Sequence, residues 1–298
     1  MINSLKESLV SKEDIVNFEE KDKESLKKEF ILNDAIKAAG DYGKYHKINL
    51  LFLCLVWIMI PSIPIMLPYF RMLPNYQCAD NNSLRLCTKQ EICDSSVPKI
   101  NAEDKLKTWA TDFNINCEKH FYFGLLGASY FLGILCGNIF IANFTDSYGR
   151  KPVLISYLFI YIAISIITVL TRKFFFLFVV LFCIGIIYSG TSLCIFVLNF
   201  ESSSIERKST FSTILSMSYG IGAIFHILIF LYFRNWIITV SISCISLIMV
   251  ILYSFQLQES PEFLYVNGRT DEMIQVLRFI ANVNNNSKLL ENYIIKHS

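Results

Sequence analysis

FYFGLLGASYFLGILCGNIFIANFTDSYGRKPVLISYLFIYIAISIITVL, residues 121–170, is two long apolar runs joined by a short polar turn. Neither 121–144 nor 153–171 contains Asp, Glu, Lys or Arg. A bilayer core about 30 Å thick takes roughly 20 apolar helical residues, and an ionised side chain near its centre costs about 3 kcal/mol or more. Each run therefore predicts a membrane-spanning helix. The turn, Asp146-Ser147-Tyr148-Gly149-Arg150-Lys151, offers a glycine for a tight reversal. It also sets two cations beside a carboxylate at the end of the preceding helix.

Working outward, runs at about 49–70, 174–200, 210–233 and 236–255 have the same character, which makes six spans in all. The whole chain is 53% hydrophobic and only 17% charged, against roughly a quarter charged in soluble domains. The expected fold class is all-α integral membrane: a six-span bundle over 49–255. A cytoplasmic amino-terminal segment (1–48) precedes it and a cytoplasmic helical segment (256–298) follows it. Net charge is +2 with no basic stripe, which argues against a nucleic-acid partner. The first 47 residues are polar and Lys-rich, without the apolar run of a cleavable signal peptide.

Placing both termini in the cytoplasm puts seventeen of the 27 Lys and Arg residues inside, nine of them before residue 48. The ten outside are mostly spread over the long loop 71–120, where charges count for less. That loop, then extracellular, holds Cys78, Cys87, Cys93 and Cys117, an even cluster that reads as a disulfide framework with three possible pairings. Zinc is the competing arrangement, but there is no C-x-x-C, and His120 is the loop's one histidine. The sequon Asn81-Asn82-Ser83 marks Asn81 for glycosylation. The other five cysteines lie in apolar runs as small core residues.

Residues 20–39 form a weakly amphipathic helix with Leu26, Phe30, Ile31 and Ile36, suited to the membrane face. After the sixth span, Ser260-Pro261 reads as an N-cap followed by proline at the first helical position. Asn267-Gly268 breaks that helix, Thr270 caps the next, and the Asn run beyond about 283 is expected to fade into a tail.

Asp146, Gly149, Arg150 and Lys151 resemble the loop signature G-x-x-x-D-R-x-G-R-K of the major facilitator superfamily, with Ala142 for the leading Gly and Ser147 for a basic residue. Further motifs resemble the organic cation, anion and carnitine transporters within it. Gly40-Asp41-Tyr42-Gly43-Lys44-Tyr45-His46-Lys47 is similar to G-E-F-G-x-F-Q-x, and Trp109 to Cys117 to W-x-x-E-F-N-L-V-C. Tyr219-Gly220-Ile221-Gly222 leads to Phe233-Arg234-Asn235-Trp236, which resembles that family's fifth span and its R-D/N-W ending. Gln258-Glu259-Ser260-Pro261-Glu262-Phe263-Leu264 resembles P-E-S-P-R-W-L. The resemblance implies that Glu201, Arg207, Glu259, Ser260 and Pro261 join the loop residues in a charge network closing the inner gate. Glu262 stands where the motif has Arg, so that network must be rebalanced.

Gly133 and Gly137 form a small-xxx-small pair, and Gly185, Gly190, Gly220 and Gly222 mark other spans for close helix approach. Pro61 and Pro64 should bend the first span, freeing carbonyls that are tolerated where they line a cavity. Substrate-lining candidates are Tyr130, Tyr188, Tyr219 and His226; aromatic faces suit an organic cation, while His226 is equally consistent with a neutral, hydrogen-bonded core residue. No carboxylate lies within a span, which favours facilitated or exchange transport over proton coupling. No G-x-S-x-G, H-E-x-x-H or P-loop is present, so no enzyme activity, cofactor or metal is expected.

The expected function is transmembrane movement of a small organic ion by alternating access, with the lipid bilayer and a second six-helix bundle as partners. A sugar or other small-solute porter is the alternative within the superfamily. The chain stops inside what resembles the central cytoplasmic loop, so it is expected to be part of a twelve-span transporter. A self-pairing half-transporter and a non-transporting membrane partner protein are the other readings.

Overall fold

A computed structural model describes residues 32–72, 76–80, 83–88, 91–92, 99–101, 106–113, 120–171 and 173–297. In chain order its helices begin with α1 (32–38), α2 (Lys44–Met59) and α3 (Ser62–Met66). Strands β1 (Tyr76–Asp80), β2 (Ser83–Leu86) and β3 (Lys99–Asn101) follow, then α4 (Trp109–Asp112). The long helices are α5 (His120–Tyr148), α6 (Arg150–Leu170), α7 (Phe176–Glu201), α8 (Ile205–Phe233) and α9 (Trp236–Ser254). Three shorter ones close the chain: α10 (Pro261–Val266), α11 (Thr270–Val283) and α12 (Ser287–His297). Six helices among the described residues are long and apolar enough to cross a membrane, α2 and α3 together forming the first. At 1.5 Å per residue the shortest, 19 residues, extends about 28 Å. The protein is a multi-pass membrane protein. The chain divides into two compact units, one of 48–200 and 210–260, the other of the remaining described residues.

In the first unit the first span is interrupted where proline requires it. Pro64 has no N–H to give the Ile60 carbonyl four residues earlier. The Tyr161 hydroxyl of α6 donates to that carbonyl at 2.6 Å, with Ser62 Oγ 3.1 Å from the same hydroxyl. A buried side chain thus answers the freed carbonyl, rather than the cavity expected from sequence. α6 packs on α5 and α9. α5 crosses α7 at glycines: a Cβ on Gly133 would run into the Phe182 carbonyl oxygen, and one on Gly185 into that of Tyr130.

The loop after the first span holds a three-stranded antiparallel sheet, ordered β2-β1-β3, an addition to the all-helical expectation. Cys78 faces Arg85 in the hairpin register and is disulfide-bonded to Cys87. Cys93, Cys117 and Asn81 lie outside the described residues. Glu91 accepts from Arg85 and from the Thr88 N–H and hydroxyl, and these donors hold its carboxyl down to about 2. Beyond the sheet, Thr108 and Thr111 form a reciprocal cap on α4. Lys107 N–H donates to the Arg234 carbonyl at 2.8 Å, and Trp236 N–H to the Lys107 carbonyl at 3.2 Å. The two motifs around Trp109 and Trp236 therefore meet in space. Trp236 Nε1 donates to Asp112 at 2.8 Å, and its buried ring packs with those of Phe70, Trp109 and Phe113.

The second unit is built on a core of Leu32, Ile36, Tyr45, Phe263, Leu264, Leu277, Ile280 and Leu290. Ile36 is thus buried against α10 and α11 rather than laid on a membrane face; Leu26, Phe30 and Ile31 lie outside the described residues. The start of α8 is held by residues from far away in the sequence. Asn33 accepts from Ile205 N–H at 3.0 Å, and Asp41 from the Ser204 N–H at 2.9 Å and from its hydroxyl. Pro261 opens α10 and Gly268 follows its end, as the sequence predicts. Thr270, however, is the first residue within α11; Arg269 stands at the N-cap and pairs with Glu272.

The Asn run is no tail. Asn285 takes a left-handed conformation (φ 60°), which asparagine tolerates better than most residues, and the chain turns there into α12. Asn284 accepts from Tyr45 N–H at 2.9 Å and donates to the Ala39 and Gly40 carbonyls at 3.1 and 2.8 Å. Three hydrogen bonds of about 1 kcal/mol each, part-buried, make Asn284→Ala cost about 2 kcal/mol. Limited proteolysis should then cut faster around residues 39–45; an unchanged cleavage rate would show that the clamp is dispensable.

Candidate functional site

Two arrangements within the first unit bring sequence-selected residues together. The first is an aromatic cluster. Trp57 of α2 stacks on Tyr188 of α7, centroids 5.6 Å apart at 21°. Phe196 meets it edge-on at 5.5 Å, and Tyr219 of α8 lies tilted at 5.6 Å. Tyr130 of α5 reaches Tyr188 at 6.0 Å. Four helices thus each give one ring or more to a single cluster. Trp57 is buried, yet its Nε1–H has no hydrogen-bond partner among the described residues, and an unmet buried donor is costly unless something else uses it. Three of the four substrate-lining candidates sit here. Trp57 was missed, although it lies in the middle of the first apolar run.

His226 is elsewhere. It is fully buried, with Nδ1–H donating to the Gly222 carbonyl at 2.6 Å and Nε2 2.9 Å from Ser243 Oγ on α9. This ring fastens α8 to α9. Gly222 itself makes room for the first span, since a Cβ there would come within 2.6 Å of the Ile58 carbonyl oxygen.

The second arrangement is the turn between α5 and α6. Gly149 has φ 98°, a left-handed value that favours glycine, and this explains the glycine of the motif. Arg150 is buried; its guanidinium donates to Asp146 at 3.1 Å and to the Thr145 carbonyl at 3.3 Å. Asp146 is largely exposed, so its half of the pair is screened by water and worth little. Glu259, expected to partner the basic loop residues, has its carboxylate accepting from the main-chain N–H groups of Arg150 at 3.0 Å and Lys151 at 3.2 Å, and from Ser260 N–H at 3.1 Å. An anion at a helix start satisfies N–H groups that lack intrahelical partners and meets the positive end of the helix dipole. Lys151 Nζ donates to the Phe255 carbonyl at 3.2 Å.

All but one of the remaining gate candidates belong to the second unit. Glu201 ends α7, and Arg207 lies over the Tyr42 ring with its Cζ 5.1 Å from the centroid. Ser260, the last residue of the first unit, is fully buried, and Pro261 opens α10. Glu262, where the motif has Arg, lies 3.8 Å from Lys208.

Residues 78–297 match the sugar (and other) transporter family. The solute carrier family 22 member 15-like protein of Xenopus laevis is 26% identical over 250 residues, covering 84% of this chain and 50% of its own length. The organic cation transporter-like protein of Drosophila melanogaster is 22% identical over 289 residues, covering 85% of this chain and 51% of its own. Human organic cation/carnitine transporter 2 is 28% identical over 182 residues, 60% of this chain and 32% of its own. The chain thus spans about half the length of the first of these relatives. Among solved structures, the major facilitator superfamily proton:xylose symporter XylE, bound to 6-bromo-6-deoxy-D-glucose, has a like fold. Its TM-score is 0.59 at 10% identity, over 85% of this chain and 53% of that one. With a family match over most of its length and six apolar helices, the chain belongs to the sugar (and other) transporter family.

Proposed function

We propose that this chain supplies the six-helix amino-terminal bundle of a transporter of small organic ions, which works by rocking against a second six-helix bundle. The observation that carries this reading is the cluster of Trp57, Tyr130, Tyr188 and Tyr219 from four helices, in spans that hold no carboxylate. Ring faces attract an organic cation through their quadrupole, the more so when it is desolvated. The names of the relatives point to the same substrate class. In this reading both termini are cytoplasmic in the plasma membrane, the cysteine-bearing loop is extracellular with Asn81 glycosylated, and the Asp146–Arg150–Glu259 turn faces the cytoplasm as part of the inner gate. The protein has no enzymatic step to perform.

Uptake of labelled tetraethylammonium into vesicles holding this bundle joined to its second six-helix bundle in one transporter tests the reading. Loss of one cation–π face, worth about 1–2 kcal/mol when desolvated, should make Trp57→Ala raise the half-saturating concentration about tenfold. An aromatic carboxylate should be affected less. Uptake unaltered in Trp57→Ala, or equal in protein-free vesicles, would end the proposal.

A further inference from the structure

Tyr42, 54% exposed, stands in the turn between α1 and α2 with two cations over its ring. Lys47 Nζ lies 4.3 Å from the ring centroid and Arg207 Cζ 5.1 Å. Lys44, also exposed, is one helical turn before Lys47. The ring attracts each cation, but the two cations repel one another, and an anion beside them relieves that repulsion. Among the described residues, the carboxylates next in sequence to Tyr42 and Arg207 are used elsewhere: Asp41 takes the Ser204 N–H and hydroxyl, and Glu206 takes Lys37 at 2.8 Å. Among the described residues, neither Lys47 nor Arg207 has a carboxylate within ion-pair distance.

Depth in the membrane narrows the choice of anion. Lys44 and Lys47 lie in the first turn of α2, which is apolar from Leu50 onward, and Arg207 lies in the first turn of α8. Three residues of helix rise only about 5 Å. These cations therefore stand where the spanning helices leave the hydrocarbon, at the level of lipid phosphates.

We propose that Tyr42, Lys44, Lys47 and Arg207 bind the phosphate of an anionic membrane lipid. The Arg207 guanidinium and the lysine ammonium groups take the phosphate oxygens, and the Tyr42 hydroxyl, absent from the phenylalanine of the similar motif, adds a donor. This inference rests on the membrane assignment and is independent of the transported solute.

The test is a titration of the purified full chain in neutral detergent, read by native mass spectrometry. The probes are dioctanoyl phosphatidylglycerol, dioctanoyl phosphatidylcholine and inorganic phosphate. Phosphatidylglycerol should bind about tenfold more tightly than phosphatidylcholine. At about fivefold per charge, Lys47→Gln with Arg207→Gln should weaken it about 25-fold. Lys288→Gln with Lys296→Gln, an equal loss of charge elsewhere, should leave binding within about twofold. Equal binding of the two lipids, or an unaltered affinity in the Lys47/Arg207 double variant, would overturn the proposal. Inorganic phosphate binding as tightly as the lipid would assign the site to a soluble anion and overturn it as well. If that double variant does not fold, the wild-type protein decides: its preference for phosphatidylglycerol should vanish in about 1 M salt, and a preference that survives would refute the assignment.

Discussion

Gly133→Ala should abolish most of the folded protein, while Gly124→Ala should leave it intact. The new methyl at 133 would be driven into the Phe182 main-chain carbonyl, and Gly185 Cα would stand 3.1 Å from it. Neither neighbour is the end of a flexible side chain, so α5 and α7 must move apart as whole helices. Overpacking of this kind costs about 1–3 kcal/mol even where side chains give way, and about 3 kcal/mol or more is expected here. Gly124 has nothing within 4 Å of an added Cβ, and alanine is the better helix former by about 1 kcal/mol. Yield of monodisperse protein on size exclusion, with thermal unfolding of whatever survives, distinguishes the two. If Gly133→Ala behaves like Gly124→Ala, the α5–α7 crossing is looser than described.

Trp236→Ala should cost about 3–5 kcal/mol, the range for deleting a large buried aromatic. Its side chain is fully buried, with the rings of Phe70 and Trp109 at 5.9 Å and Phe113 at 6.3 Å. The same side chain donates to Asp112, so the variant opens a cavity and removes a hydrogen bond together. Trp236→Phe separates these effects: it keeps most of the packing and forfeits the bond to a partly solvated carboxylate, about 1 kcal/mol. Thermal unfolding should rank the wild type first, Phe second and Ala well below. A Phe variant as damaged as the Ala variant would mean that the indole–Asp112 bond, rather than the packing, holds the loop end to α8 and α9.

The six spans were legible because charge is excluded from hydrocarbon and a run of twenty apolar residues has few other uses. The glycine at 149 was legible for a comparable reason, a tight turn whose backbone demanded it. Tyr130, Tyr188 and Tyr219 were found as individual aromatics, but their meeting on Trp57 depends on which faces of four helices turn inward. No short stretch of sequence records that. The strands β1 to β3 were missed because three to five residues of mixed polarity carry no periodic signal. Asn284 was misread for another reason: an asparagine run looks polar and unstructured until Tyr45, Ala39 and Gly40, far away in sequence, present main-chain groups to it. Glu259 was placed beside Arg150 and Lys151 by charge complementarity, which is silent about the main-chain N–H groups of those residues that its carboxylate takes.

The Glu259 bond has a consequence for how the turn tolerates change. A carboxylate that grips main-chain N–H groups at 150 and 151 is indifferent to the side chains around it. Ser147 and Ala142 can drift from the signature without disturbing that attachment. Length is another matter: one residue inserted after Gly149 would swing the first N–H groups of α6 by about 100° around the helix axis, away from the carboxylate. The turn is buffered against substitution and intolerant of insertion.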